Sequence, residues 1–358
     1  MTVDPARRLT PVVRLAPAKL NLSLAVLGRR PDGWHDLHSV MVPLGLADVL
    51  TLAPSPGDAD TLHSDGHDSG PAAANLVLRA IAETRAAVGP GWGSGSSGPV
   101  GPAARAAPAL AARLEKRIPV AAGLAGGSSD AAAAIDGALE AWGAELDPST
   151  RAAVAARLGS DVPFFLSGGA ALVEGRGERV TPLRALLGEP PGVLLVTPSV
   201  PLLTATVFAA FDAGSRPADP AATRASSSHL AAELAAGLST ARLLDRAAVL
   251  ASANDLVVAA STVMPALTAM RRSLLRLLGR PIGQSGSGPT LWALYPSGEA
   301  AGEAAADVRA ALSDGRLTIP GDGLPSILAT TIAAAPAAAA PAAGAPPAAQ
   351  PARPTEEP

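Results

Sequence analysis

A glycine- and serine-rich segment runs directly into an alanine-rich stretch in the first half of the chain. Residues 118–130 read Ile-Pro-Val-Ala-Ala-Gly-Leu-Ala-Gly-Gly-Ser-Ser-Asp, and Ile135, Leu139 and Trp142 then recur at helical spacing. The two serines and the aspartate at 128–130 are residue types that favour a helix start. Unpaired N–H groups and the positive end of the helix dipole make such a junction an anion site. The alternative is a loop that only caps a helix.

A second candidate for chemistry is the carboxylate of Asp161. The pattern predicts a helix over 151–158 that ends at Gly159, and the aspartate follows this end directly. A Pro-Phe-Phe run comes next at 163–165, and a carboxylate beside two aromatic rings is unusual enough to suggest a function. An ordinary exposed loop aspartate is the alternative.

A third candidate is Lys19, within a predicted strand over 12–26. Leucine and valine alternate here with polar residues, which predicts a half-buried strand with Lys19, Asn21 and Ser23 together on its other face. The alternative is a solvated face with an ordinary lysine.

Alternating strand and helix patterns must position these residues, and they predict an α+β fold. Further strands are predicted at 110–118, 170–174, 192–197, 291–295 and 326–332, together with a pair of strands within 39–52 connected through Gly45 and Asp48. Helices are predicted to begin at Asn75 and to cover 131–142, 151–158, 204–211, 229–250, 254–278 and 299–312. Residues 54–70 are predicted to be irregular.

Composition excludes several classes of function. The formal net charge of −3 over 358 residues gives no basic surface for nucleic acid. The chain has no cysteine, and its five histidines form no metal-ligand motif. The amino terminus lacks the apolar region of a secretory signal, and the longest uncharged segment is interrupted by prolines. A cytoplasmic protein with a small-molecule substrate is therefore expected, with no membrane partner and with an oligomeric state left open between monomer and homodimer.

The glycine-rich segment matches neither of two common nucleotide motifs. It lacks the Gly-Lys-Ser/Thr ending of a P-loop and the Gly-x-Gly-x-x-Gly of a dinucleotide fold. Residues 119–131 instead resemble the Pro-x-x-x-Gly-Leu-x-x-x-Ser-Ser-x-Ala form of the GHMP kinase superfamily signature, in which the loop wraps the phosphates of ATP.

Four further segments make the resemblance more specific. Residues 17–22 (Pro-Ala-Lys-Leu-Asn-Leu) and 30–35 (Arg-Pro-Asp-Gly-Trp-His) are similar to the amino terminus of the 4-diphosphocytidyl-2-C-methyl-D-erythritol kinase family. Residues 158–163 resemble its catalytic-aspartate segment, and residues 285–290 resemble the third superfamily motif. The alcohol in that name is called CDP-methylerythritol below.

The resemblance implies a two-domain GHMP kinase fold. A ribosomal-protein-S5-like α/β domain would bind ATP over 12–180, and a ferredoxin-like α/β sandwich would form the substrate domain over 181–332. Composition adds a disordered arm at 1–11, a flexible insertion at 88–108 and a disordered Ala/Pro tail at 333–358.

The resemblance also implies roles for individual residues. Asp161 would be the catalytic base, and Lys19 would hold it ionised. The ATP-binding residues would be Asn75, Pro119, Val120, Ala121, Ala122, Gly123, Leu124, Ala125, Gly126, Gly127, Ser128 and Ser129. The substrate-binding residues would be Asn21, Trp34, His35, Thr204 and Phe208, with an aromatic ring stacked on cytosine.

Two residues depart from the family pattern. Trp34 stands where tyrosine is usual, so it keeps an aromatic face but loses the phenol. Ala125 stands where glycine is common, and its methyl group is tolerated if the backbone φ is negative.

The implied function is ATP-dependent phosphorylation of the 2-hydroxyl of CDP-methylerythritol in the non-mevalonate isoprenoid pathway. ATP would be the co-substrate and Mg²⁺ the cofactor. The metal ligands are not determined, and Ser129 and Asp130 are the nearest candidates. Two alternatives remain: a superfamily kinase for homoserine or a mevalonate derivative, and a non-catalytic nucleotide-binding protein on the same fold.

Overall fold

The computed structural model describes residues 11–68, 70–71, 74–89, 107–217 and 219–333. The predicted tail, nearly all of the predicted arm and the centre of the predicted insertion at 88–108 lie outside these residues.

Two antiparallel-rich sheets form the framework. The first contains β1 (Val12–Arg29), β2 (His35–Pro54), β3 (Thr61–Gly66), β4 (Leu110–Lys116), β5 (Ala171–Gly175) and β6 (Arg179–Pro182). Its order is β3-β4-β2-β5-β6, and β1 pairs along β2. The second contains β7 (Gly192–Thr197), β8 (Gly283–Gln284), β9 (Leu291–Tyr295) and β10 (Ser326–Thr331), in the order β10-β7-β9-β8.

Helices cover both sheets. Those between the strands of the first sheet are α1 (Leu76–Val88), α2 (Gly126–Trp142), α3 (Pro148–Leu158) and α4 (Val162–Ser167). The later helices are α5 (Thr204–Asp212), α6 (Pro220–Ala236), α7 (Thr240–Asp245), α8 (Ala247–Ser252), α9 (Val257–Val263), α10 (Ala266–Leu278) and α11 (Gly298–Ser313). No helix within the described ranges is long and apolar enough to cross a membrane.

Strand β1 is buried on both faces, so the prediction of a half-buried strand was wrong. Residues 18–26 are all buried, because helix α6 packs on β1 and the two sheets meet around it. The register against β2 shifts between Asn21 and Ser23. The side chain of Ser23 is therefore separated from those of Lys19 and Asn21. Its hydroxyl donates to Ser227 of α6 at 2.8 Å.

Strand β2 is continuous, although two strands were predicted within it. Gly45 does not break it: a Cβ there would lie 3.3 Å from the side-chain oxygens of Thr330 and Thr331. The glycine thus allows β10 to approach closely, which is the other common use of glycine in a strand. Asp48 lies inside β2 and is fully buried.

Two other expectations needed correction. Residues 54–70 contain β3, which pairs in parallel with β4 despite its polar sequence. The long helical patterns at 229–250 and 254–278 are divided among α6 to α10, with breaks at Gly237, Ala253 and Met264.

Helix α2 begins earlier than predicted. Its first residue is Gly126, so the serines and the aspartate at 128–130 are its third to fifth residues and do not cap it. The residue before it, Ala125, has φ 55°, so the condition of a negative φ under which its methyl group would be tolerated is not met. The left-handed conformation costs an L-residue roughly 1–2 kcal/mol, and the fold must compensate for it.

Candidate active site

One cavity of about 1080 Å³ collects most of the residues that the sequence singled out. Its wall includes Lys19, Asn21, Trp34, His35, Asn75, Asp161, Thr204 and Phe208, together with residues 119–123 and 125–128 of the glycine-rich loop. Two predicted loop residues do not line it. Leu124 is buried in the core, and Ser129 is buried behind the wall.

The loop over 119–125 presents backbone donors to this cavity. The first hydrogen bond of α2 runs from Ser129 N–H to the carbonyl of Ala125 at 3.0 Å. The N–H groups of the first three helical residues therefore have no partner inside the helix. Gly126, Gly127 and Ser128 all line the cavity, so the first turn of α2 can bind an anion.

The glycine-rich segment over 285–290, which connects β8 with β9 in the second sheet, packs against the phosphate-binding loop. Ser285 Oγ donates to the carbonyl of Gly123 at 2.9 Å. Gly123 has φ 76°, and a Cβ there would lie 2.3 Å from the carbonyl oxygen of Ser285. Glycine is required at 123 for both reasons.

Lys19 is buried beside the loop and lines the cavity together with Asp161. Its N–H donates to the carbonyl of Leu124 at 3.1 Å, and its Nζ donates to Asn21 Oδ1. Burial lowers the pKa of Lys19, and the charge of Asp161 raises that pKa in part. The two groups, 142 positions apart in the chain, are thus electrostatic neighbours in one cavity.

The backbone around Asp161 is held by a close contact. The residue forms the junction between α3 and α4, and its side chain makes no capping hydrogen bond. A Cβ on Gly177 would lie 2.1 Å from the carbonyl oxygen of Ser160. The β5–β6 turn therefore packs against the residue before the aspartate, and Asp161 itself lines the cavity.

Aromatic rings and polar side chains build a further part of the cavity wall. His35 stacks on Phe208 with ring centroids 4.6 Å apart, and its Nε2 lies 2.8 Å from Asp212 Oδ1. Trp34 is half exposed, and the guanidinium of Arg176 lies 5.8 Å from its ring centroid. Trp34, His35 and Phe208 therefore share one pocket.

Polar contacts fix the remaining predicted residues. Asn21 donates to Ser39 Oγ at 2.8 Å, and Thr204 Oγ1 lies 2.9 Å from Ser287 Oγ. Asn75 caps α1 as predicted, accepting from Val77 N–H at 2.9 Å.

Sequence reasoning missed several residues in the cavity wall, among them Lys116, Asp130 as an ion-pair partner, Arg176 and Asp212. Lys116 ends a strand of otherwise alternating pattern, and Asp212 stands one turn after Phe208 on α5. The charged residue at the end of this alternating strand was the feature of the sequence that could have indicated Lys116. Asp212 could be found only once His35 was known to face α5.

The fold and the phosphate-binding loop define the class of protein as a GHMP kinase. The model of the GHMP kinases N-terminal domain matches residues 75–169. A curated 4-diphosphocytidyl-2-C-methyl-D-erythritol kinase from Pelotomaculum thermopropionicum is 38% identical over 302 residues, which cover 83% of this chain and 94% of the relative. The kinase of that name from Methylobacterium radiotolerans is 40% identical over 311 residues, covering 83% and 93%. The chain belongs to the 4-diphosphocytidyl-2-C-methyl-D-erythritol kinase family.

Solved structures agree with this assignment. A crystal structure of 4-(cytidine 5'-diphospho)-2C-methyl-D-erythritol kinase is 31% identical, with a TM-score of 0.61 over 89% of this chain and 99% of that chain. Homoserine kinase from Cytophaga hutchinsonii has a TM-score of 0.62 at 16% identity, over 92% of this chain and 97% of that chain. The second likeness is one of fold alone.

Proposed function

We propose that the protein transfers the γ-phosphoryl group of ATP to the 2-hydroxyl of CDP-methylerythritol, a step of the non-mevalonate route to isoprenoid precursors. One observation carries the proposal. A single cavity is lined by a backbone anion site, by a stacked histidine and phenylalanine, and by Lys19 and Asp161.

Proton removal is assigned to Asp161. As the oxygen of the 2-hydroxyl attacks the γ-phosphorus, its proton passes to the carboxylate, and the bond between the γ-phosphorus and the bridging oxygen to the β-phosphorus breaks to release ADP. A general base of this kind contributes about 10²- to 10⁴-fold to the rate. Lys19 offsets negative charge on the attacking oxygen.

Binding of the donor phosphates is assigned to the loop and the first turn of α2. Phosphoryl transfer depends mainly on positioning and on neutralising charge. The unpaired N–H groups of Gly126, Gly127 and Ser128 supply fixed donors for the β- and γ-phosphates. Asn75 lies at the start of α1 on the same wall, which supports a place near the adenine for it.

The chemistry of the site fits Mg²⁺. Ser129 Oγ and Asp130 Oδ1 are buried and have no hydrogen-bond partner among the described residues. Hard oxygen atoms next to a phosphate site suit this ion, which retains waters and substrate phosphates as ligands. Among the residues that the structure describes, no cluster of three or more His, Cys, Asp or Glu side chains could hold a metal by itself. Ser129 would hold the ion, which would supply charge neutralisation to the phosphates, whereas Asp130 is engaged by Lys116.

Recognition of the alcohol is assigned to the aromatic end of the cavity. Trp34 offers an exposed ring face, and Phe208 is held in place by His35. Asn21 and Thr204 line the same cavity and are assigned to the diphosphate and the methylerythritol chain.

A kinase for homoserine or a mevalonate derivative is the second candidate. The neighbouring structures of such enzymes are at most 16% identical to this chain and therefore argue for the fold alone. The shared pocket of Trp34, His35 and Phe208 favours a substrate with a flat base, which homoserine and mevalonate lack.

Product analysis tests the proposal. The purified protein is incubated with ATP, Mg²⁺ and CDP-methylerythritol, and phosphorus NMR follows the mixture. We expect ADP and a new phosphate monoester on the 2-hydroxyl. ADP formed without that ester, or a mixture left unchanged, would contradict the proposal.

A further inference from the structure

A buried ion triad lies directly behind the phosphate-binding loop. Lys116, the last residue of β4, donates from Nζ to Asp48 of β2 and to Asp130 Oδ2 of α2, the latter at 2.7 Å. All three side chains are at most 4% exposed. Two carboxylates therefore share one ammonium group in the interior of the protein.

The triad connects the two ends of the loop. At the first end, Asp48 Oδ1 accepts the N–H groups of Arg117 and Ile118 at 2.5 and 2.8 Å. At the second end, Asp130 is the fifth residue of α2 and accepts from Lys116. Neither end can shift without moving a buried charge away from its partner, which is costly in an interior of low polarity.

The loop between these ends needs such a restraint. Ala121 and Ala125 have φ values of 54° and 55°, a conformation that L-residues avoid. Strained backbone of this kind persists only where its surroundings determine it. Gly126 leaves the space through which Lys116 reaches Asp130, since a Cβ on that glycine would lie 3.2 Å from Lys116 Nζ.

We propose that the Asp48–Lys116–Asp130 triad positions the phosphate-binding loop, holding its strained backbone in the shape that accepts the nucleotide phosphates. The proposal rests on the assignment of this loop to ATP. Lys116 is a positioning residue here, because both carboxylates already engage its ammonium group.

The test uses Asp130→Ala in the full-length protein, with Asp136→Ala as the matched control. Asp136 lies on the same helix and pairs with Arg151 at the surface, away from the cavity. Calorimetric titration with ADP reports binding without requiring turnover, and steady-state kinetics gives KM for ATP and for the alcohol separately.

We expect Asp130→Ala to raise Kd for ADP and KM for ATP by about tenfold or more, as loss of a supporting partner does at other ligand sites. KM for the alcohol should stay within twofold of wild type, and Asp136→Ala should change neither constant. Asp130→Asn, which keeps an oxygen for Lys116, should recover most of the affinity for ADP.

Nucleotide binding by Asp130→Ala equal to that of wild type would overturn the proposal, as would an equal rise in both KM values. If Asp130→Ala does not fold, Asp48→Asn is decisive. Its amide oxygen still accepts from the loop backbone, but its NH2 group replaces the oxygen that accepts from Lys116, so unchanged ADP affinity in that variant would also overturn the proposal. A wild-type protein that binds ADP but does not phosphorylate CDP-methylerythritol would instead contradict the proposed function.

Discussion

Lys19 occupies a position that favours catalysis at the expense of stability. Its ammonium group is 3% exposed, and burial lowers its pKa while Asp161 raises it only in part. The folded protein therefore holds this charge less readily than the unfolded chain does. Residues of this kind are retained for function, because a neutral side chain would be easier to bury.

Lys19→Met is accordingly expected to abolish phosphoryl transfer without lowering the melting temperature. Methionine fills similar space and removes the buried charge, so the free energy of unfolding should stay the same or rise. Thermal unfolding followed by circular dichroism, together with an ADP-release assay, measures both effects. A variant that is clearly less stable, or one that keeps wild-type turnover, would contradict this role for the lysine.

Asp161→Asn separates proton transfer from nucleotide binding. We expect kcat to fall by about 10²- to 10⁴-fold, because the amide cannot accept the proton of the hydroxyl. Affinity for ADP, measured by calorimetry, should remain near that of wild type. Unaltered turnover would remove Asp161 from the role of base.

Among elements, helix α5 determines the end of the cavity that faces the alcohol. Thr204, Phe208 and Asp212 stand four residues apart and therefore share one face. All three line the cavity, and His35 lies between Phe208 and Asp212. The helix thus orients both the ring of Phe208 that stacks on His35 and the carboxylate of Asp212 that contacts His35.

Phe208→Ala is expected to raise KM for CDP-methylerythritol by about tenfold, since a base–aromatic contact is worth roughly 1–3 kcal/mol. Phe208→Tyr keeps the ring and should stay close to wild type. Affinity for ADP serves as the internal control and should not change in either variant. Equal KM values for the alanine and tyrosine variants would show that the ring does not contact the substrate.

The contact of β2 with α6 contains a buried histidine that makes stability depend on pH. His38 Nδ1 lies 2.9 Å from Ser227 Oγ, and burial lowers its pKa from the usual 6.5, assisted by Arg224 and opposed by Glu174. Below that value the unfolded chain binds a proton that the folded protein binds less well. Stability therefore falls as pH drops below about 6.5.

His38→Asn should flatten this dependence. Urea unfolding at about pH 5 and about pH 7.5 gives the two free energies of unfolding to be compared. The difference between them should be smaller in His38→Asn than in wild type. An identical difference in the two proteins would contradict the assignment.

At the scale of the whole molecule, the two sheets contribute different parts of one site. The first sheet and its helices supply Lys19, the phosphate-binding loop and Asp161, whereas the loop from the second sheet supports Gly123 from behind. The cavity of about 1080 Å³ is at the upper end of ordinary ligand pockets, which suits two ligands bound together. A domain boundary near residue 180 stays a prediction.

Local patterns predicted much of this architecture, because hydrophobic periodicity is a local property. The strand at 291–295 and the helix from 204 were predicted at nearly their observed bounds. The meeting of Lys19 with Asp161 was expected only through the family resemblance, since periodicity carries no information on contacts across 142 positions.

The remaining features depend on tertiary contacts. Gly45 was interpreted as part of a connection between two strands, although β10 packs against it. Asp48 was placed in a connection, whereas Lys116 neutralises it inside a continuous strand. In each case the partner that decides the conformation is distant in the sequence.

The most direct test of the proposed function is an ADP-release assay over a panel of alcohols with the purified full-length protein, ATP and Mg²⁺. The panel contains CDP-methylerythritol, homoserine and mevalonate, and kcat/KM is measured for each. We expect turnover of CDP-methylerythritol, with kcat/KM for the other two alcohols lower by several orders of magnitude. Turnover of homoserine or mevalonate at a comparable kcat/KM, or none of the three phosphorylated, would contradict it.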